Sequence, residues 1–248
     1  MSVINEQIVD WCPLQEHTLH TTIMAPGQKI FQGTLAMQVA GKVYSLANGF
    51  SALMPVMLNV AGADANGGLL VYSRQANMQL VLLGGISQTF GVSVAYTATN
   101  IQVVVQLATS GAGAVTSTAN AVVNGILAHA TASKYIRVAA TGTGLGLAAA
   151  LVATNVPMFK LLGFAEKTYD NAASLIDWVD EFRFYDGSAR LIALASDPVT
   201  PAMVGSNVAI HDEITVKATP SSLDYEIPLI DVTFIGEIFC DVSGKRRF

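Results

Sequence analysis

The stretch IQVVVQLATSGAGAVTSTANAVVNGILAHA, residues 101–130, changes its apolar period part-way along, and that change decides how the chain is divided. Ile101, Val103, Val105 and Leu107 alternate with Gln102, Val104 and Gln106. A period of two places the two sets on opposite faces of a strand, which predicts a half-buried strand over Ile101–Leu107. Thr109-Ser110-Gly111-Ala112-Gly113 reads as a loop. Thr116, Ser117 and Thr118 then offer hydroxyls to a free N–H of a first helical turn. Beyond them Ala119, Val122, Val123, Ile126, Leu127 and Ala130 recur three and four apart, the single apolar stripe of an amphipathic helix.

Working outward, Gln79–Leu83, Val92–Thr97 and Tyr135–Ala140 read as further strands. Thr141-Gly142-Thr143-Gly144-Leu145-Gly146 is a glycine-rich turn, and an alanine-rich segment follows to Ala153. Residues 79–156 are therefore expected to form an inserted α/β unit with one main amphipathic helix. On either side the pattern is β. Before the insertion, Ala25-Pro26-Gly27-Gln28 is a turn, and short apolar runs at Ile30–Phe31, Thr34–Val39 and Lys42–Leu46 are punctuated by Gly33, Gly41 and Gly49. Ala61–Gly68 is a loop. After Pro157, candidate strands are Lys160–Ala165, Trp178–Tyr185, Arg190–Ala195, Val208–Ile210, Ile214–Ala218 and Val232–Cys240. Asp186-Gly187, Asp197-Pro198, Pro201 and Gly205-Ser206-Asn207 separate them. The expected fold is mainly β, a small barrel or sandwich body made of residues 21–78 and 157–248. Residues 1–20 lack a clear period and read as an N-terminal arm.

Only 12% of the residues are charged and 52% are hydrophobic. Soluble monomers usually carry charge on about a quarter to a third of their surface. A surface this bare is expected to sit against copies of itself or a large partner. With a net charge of −5 and no Lys/Arg stripe, a nucleic-acid partner is not expected. Gly144–Val156 falls short of the ~20 residues of a membrane helix, and Pro157 and Lys160 interrupt its extension, so no membrane span is expected. Residues 1–10 lack the apolar core of a signal peptide. The two cysteines, Cys12 and Cys240, read as reduced thiols, although their places near opposite ends leave a pairing open.

Reactive chemistry finds little support. Gly142-x-Gly144-x-Gly146 is spaced too tightly for a phosphate-binding fingerprint, and Gly62–Gly68 lacks the Lys-Ser/Thr of a P-loop, so both read as turns. Asp177, Asp180 and Glu181 beside Trp178 lack the spacing of an oxygen-ligand loop. They read as a solvated strand edge or turn, as do Asp212-Glu213 and the pair Asp224 and Glu226. His129 is placed to meet the last carbonyls of the helix. With His17, His20 and His211 too scattered for a metal site and no nucleophile-elbow motif, neither enzyme, metal nor cofactor is expected.

Two segments carry a family resemblance. Phe159-Lys160-Leu161-Leu162-Gly163-Phe164-Ala165-Glu166-Lys167-Thr168-Tyr169-Asp170-Asn171 resembles the "leucine, small, Gly, apolar, Ala, Glu … Asp-Asn" segment of bacteriophage head decoration (capsid cement) proteins. Asp197-Pro198-Val199-Thr200-Pro201-Ala202-Met203-Val204-Gly205-Ser206-Asn207-Val208 resembles the same family's "Asp-Pro-Val-Thr … Val-Gly … Val" segment, and His211–Val216 follows it as an acidic turn and strand do there. Ala25–Gln28 with Phe31–Leu35 fits the family's N-terminal strand pair. The resemblance implies a homo-oligomer (trimers are among the forms such proteins take), made in the host cytoplasm and located on the virion, with the major capsid protein as partner. Residues 101–144 are similar to a module that recurs in virion proteins, tail components included. That keeps open a tail-tube, sheath or head-completion role, and a receptor- or glycan-binding virion protein is a third reading. The contact residues expected from the sequence are Ile8, Trp11 and Leu14 of the arm, Lys245, Arg246, Arg247 and Phe248 of the tail, and the tip of the central unit at Thr109–Ala114.

Overall fold

The computed structural model describes residues 17–46, 53, 55–185, 188–212, 214–232 and 238–241. The chain is mainly β and divides into two compact units. One unit combines Met1–Leu53 with Lys160–Phe248, and the other is Met54–Phe159.

The outer unit contains two rings of paired strands. In the first the order is β1 (His17–Met24), β14 (Trp178–Tyr185), β12 (Phe159–Ala165), β3 (Leu35–Val39) and β4 (Lys42–Ser45), and β4 returns to pair in parallel with β1. The longest seam runs from His17 opposite Tyr185 to Met24 opposite Trp178. Between β3 and β4 the chain reverses through Ala40 and Gly41, whose φ values of 48° and 85° fit a two-residue turn that needs positive φ at both positions. Alternation along β14 turns Phe182 and Phe184 inward, where they meet Met24, Ala36, Val43 and Leu162. A small two-stranded piece, β2 (Lys29–Ile30) with β13 (Tyr169–Asp170), adds Ile30 and Tyr169 to the same core.

The second ring has the order β15 (Ser188–Ala193), β17 (Thr215–Lys217), β16 (Asn207–Ile210), β18 (Glu226–Val232) and β19 (Ile238–Asp241), with β19 pairing back to β15. It buries Leu191, Val208, Ile210, Val216, Ile227, Leu229, Ile238 and Cys240. The expected single strand Val232–Cys240 is corrected here. Two strands lie in this region, and β18 ends where the expected one begins. Pro228 hides β18 from a sequence reading, since proline seldom occupies a paired strand. Here it stands opposite Asn207 and next to a register shift at Leu229/Asp231.

The central unit holds two sheets and the helices. One sheet has the order β10 (Ile136–Ala140), β6 (Leu69–Ser73), β5 (Leu58–Val60). The other has the order β11 (Leu151–Asn155), β7 (Met78–Leu83), β9 (Ile101–Gln106), β8 (Gly91–Tyr96). Helix α1 (Ala119–Ala128) contacts β10 and β8, and the one-turn α2 (Ala132–Tyr135) follows it. Val71, Leu80, Val103, Val122, Ile126 and Val138 share one core. The unit begins well before the expected boundary at residue 79. Strands β5 and β6 belong to it because β6 pairs with β10, some 65 residues later in the chain. Of the expected arm, His17–His20 instead form the start of β1, and residues 1–16 lie outside the described residues.

Of the three hydroxyl residues expected at the start of helix α1, Thr118 is the cap. Thr118 is extended, and its Oγ1 accepts the Ala121 N–H at 3.2 Å. Two more free N–H groups of the first turn, on Ala119 and Asn120, donate to the carbonyls of Gly146 and Gly144, both at 2.9 Å. The glycine turn therefore closes the helix end and leaves no open anion site there. It also interlocks with the loop at 61–68, where Asp64 Oδ1 accepts the Leu147 N–H at 2.6 Å and Ala63 donates to the Leu147 carbonyl at 2.9 Å. A Cβ on Gly146 would run into the Ala65 carbonyl, and one on Gly67 into the Leu147 carbonyl. Gly146→Ala is expected to destabilise the protein by about 1–3 kcal/mol, the usual cost of overpacking, measured by denaturant unfolding.

Cys240 is a free, buried thiol on β19, and burial pushes it up to about 12. Cys12 lies outside the described residues. In a Cys12→Ser variant, Cys240 is expected to resist iodoacetamide at pH 8 in the native protein and to react once denaturant is added, as mass spectrometry would show.

Candidate functional site

The outer unit presents one loop that is both tightly held and apolar. It starts from Tyr169-Asp170-Asn171. The Tyr169 ring is fully buried, with Phe182 edge-on at 5.0 Å and Phe184 and Trp178 at 6.1 and 6.3 Å. Its hydroxyl accepts the Arg183 N–H at 2.8 Å. Strand β12 stops pairing with β14 at Ala165, and Glu166 N–H still reaches the Arg183 carbonyl at 3.1 Å. The tyrosine oxygen thus accepts a β14 amide just where the neighbouring strand has run out.

Two residues on, Asn171 is 8% exposed and bonded through both backbone groups and its side-chain Nδ2. Its N–H donates to the Gln28 carbonyl at 2.9 Å, and its carbonyl accepts from Gly27 at 3.0 Å. The side-chain Nδ2 donates to the carbonyls of Ala25 and Ile176, each at 3.1 Å. One amide therefore ties the Ala25-Pro26-Gly27 turn to the far end of the loop. Ser174 Oγ adds a link by donating to the Ile176 carbonyl and accepting its N–H. Ion pairs flank both ends, Lys29–Asp170 at 2.7 Å and Lys42–Asp177 at 2.8 Å. The Lys29 ammonium and the Ala172 N–H hold the Asp170 carboxyl below its ordinary 3.8. A carboxyl lowered in the fold stabilises it above 3.8, and that contribution fades as pH falls through the folded value. Both pairs are solvent-exposed, so they steer the loop more than they stabilise it.

The loop held in this way exposes Leu175 at 95% and Ile176 at 75%, with Val179 next to them on the start of β14. A lone exposed leucine carries little information. Adjacent exposed Leu and Ile on a loop tied down by a buried asparagine make this loop the candidate contact surface.

Of the contact residues expected from the sequence, Ile8, Trp11, Leu14, Lys245, Arg246, Arg247 and Phe248 lie outside the described residues. The expected tip at Thr109–Ala114 is exposed only in part. Thr109 is buried and its Oγ1 accepts the Gln88 N–H at 2.9 Å, while Gly111, Ala112 and Ala114 face solvent. The acidic residues organise turns. Asp177 pairs with Lys42, Asp212 Oδ1 accepts the N–H groups of Ile214 and Thr215, and Asp224 Oδ2 accepts from Ser221 and from Lys217. Asp180 and Glu181 contribute their backbones to β14, and their side chains, like Glu213, lie outside the described residues. His129 meets the last carbonyls of α1 through its backbone N–H, which reaches those of Gly125 and Ile126 at 3.1 and 3.2 Å. Its ring faces onward, and Nδ1 accepts the N–H groups of Thr131 and Ala132 at the start of α2.

Among the described residues no three of His, Cys, Asp and Glu come together as a metal site, and no helix is long and apolar enough to cross a membrane. Comparison with known proteins finds no matching family, no curated relative and no similar solved structure.

The loop analysis separates two substitutions. Asn171→Ala takes the side-chain donor from the buried Ala25 carbonyl and is expected to cost about 1–3 kcal/mol. Leu175→Ser is expected to stay within about 0.5 kcal/mol of the parent. Thermal and denaturant unfolding of the two variants would check the contrast.

Proposed function

We propose that this chain is a virion structural protein that binds the assembled capsid surface of a tailed bacteriophage and stabilises the head, working as a homo-oligomer with the major capsid protein as its partner. The observation that carries this reading is the Leu175-Ile176 loop, an apolar contact held rigid on a β body in a chain with few charges. The resemblance in residues 159–171 supports it, because that segment supplies Tyr169 and Asn171, the residues that hold the loop. The second resembling segment also builds framework. Asp197 accepts the N–H and hydroxyl of Thr219, and Asn207 and Val208 open β16.

The physical logic is linkage. A protein that binds assembled shell and not free subunit stabilises the shell by mass action. A stable docked interface of standard size buries about 1,600 Å². Apolar groups on a preorganised loop suit this task, since little conformational freedom is lost on docking.

The test adds purified protein to undecorated shells. Co-sedimentation and a rise in shell melting temperature are expected. Leu175→Ser/Ile176→Ser should weaken binding at least tenfold, and deletion of residues 1–14 should lower occupancy if the arm takes part. Absence of binding by the folded parent would overturn the reading, and rings or tubes formed without any shell would replace it with the tail-component reading.

A further inference from the structure

Strand β8 is the last in the order β11-β7-β9-β8, and among the described residues its outer side is unpaired. It pairs with β9 residue for residue from Gly91 opposite Gln106 to Tyr96 opposite Ile101, without a bulge. The hairpin that joins them is closed by Thr97 N–H on the Asn100 carbonyl at 2.9 Å. That bond fixes the phase of the ladder. Ala95, Ser93 and Gly91 exchange bonds with β9, while the N–H and C=O groups of Val92, Val94 and Tyr96 point away from it. Among the described residues no strand pairs with that side.

Natural edge strands are guarded by charge, proline or bulges. Here all three are missing. No Asp, Glu, Lys or Arg occurs between Arg74 and Lys134. The edge is also firmly held. Gly125 of α1 lies so close to the Phe90 ring and Val92 that a Cβ there would collide, and the hydroxyls of Tyr96 and Tyr135 meet at 3.1 Å. Ile86 and Tyr96 nevertheless remain 68% and 65% exposed.

The chemistry of the edge selects its occupant. An edge without charge has nothing to offer an acidic or basic strand, and it meets its own copy without like-charge repulsion. Its sequence is also self-complementary. In an antiparallel pairing about a two-fold axis at Val94, the outward-directed groups of Val92, Val94 and Tyr96 find partners. Val92 then lies opposite a second Tyr96, an aromatic–β-branched pair of the kind that stabilises sheets. On the other face Ser93 and Ala95 lie opposite each other, small enough to leave the backbones unhindered. We propose that the β8 edges of two copies of this chain pair in this register, making one continuous sheet across an isologous dimer. The proposal concerns the free protein and stands independently of capsid binding.

The experiment is sedimentation equilibrium on the full chain. A dimer is expected. Ser93→Lys/Ala95→Lys places lysines opposite lysines and should weaken dimerisation at least tenfold. Ser93→Lys/Ala95→Glu carries two charged side chains as well but places Lys opposite Glu, and should retain the dimer. Both variants should keep the parent's circular dichroism, because both side chains lie on the solvent face. Val94→Pro is a second probe of the edge: it removes an N–H that β9 does not use, and should also yield monomer. A monomeric parent, or a dimer equally indifferent to both charge variants, overturns the proposal.

Discussion

In the outer unit, a tyrosine hydroxyl accepts an amide just where a strand runs out. The bond from Arg183 N–H to the Tyr169 oxygen lets β14 continue past the end of its neighbour without a buried, unpaired group. The ring attached to that oxygen fills the centre of the first barrel-like sheet against Phe182, Phe184 and Trp178. Fixing Tyr169 fixes Asn171 two residues later, and Asn171 in turn sets the path of the loop that carries Leu175 and Ile176. The exposed apolar contact is thus a by-product of the same few residues that complete the core.

The central unit follows a different logic. Over Met54–Phe159 its only charged residues are Asp64, Arg74, Lys134 and Arg137. Its order comes from backbone-to-backbone closure. Glycine carbonyls cap α1, an amide ladder runs from Asn155 through Gln79 to Gln102 across three strands, and two loops interlock through contacts that admit no side chain. Such a unit has few charges from which to build surface ion pairs. Its exterior carries few charges and leaves Ile86, Tyr96, Leu145 and Val152 exposed among polar groups.

The features legible in the sequence were those set by local chemistry. A cap among Thr116, Ser117 and Thr118, the stripe on α1, the alternation of Ile101–Leu107 and the glycine turn all depend on residues within a few positions of one another. What escaped depends on distant partners. Nothing near Leu58 or Leu69 says that β6 will pair with Ile136–Ala140, so the sequence alone puts the unit boundary later than the contacts do. Pro228 masked β18, and the His129 ring turned toward α2 because Thr131 and Ala132 offered free N–H groups one turn ahead. Leu175-Ile176 had only a faint signal, two large apolar residues between a turn and a strand. Their exposure follows from the Asn171 side chain, whose partners at Ala25 lie some 146 positions away.

The seam between β1 and β14 has a consequence for synthesis. Met24 waits for Trp178, so a ribosome must deliver about 150 further residues before the first barrel-like sheet can close. The central unit, whose strands and helices lie within one continuous stretch, emerges complete in that interval and can fold first. The early strands β3 and β4 already form a hairpin of their own, which shelters part of their hydrogen-bonding potential during the delay. The nascent chain thus has an order of events written into its topology, with the inserted unit finished before the body that surrounds it in sequence.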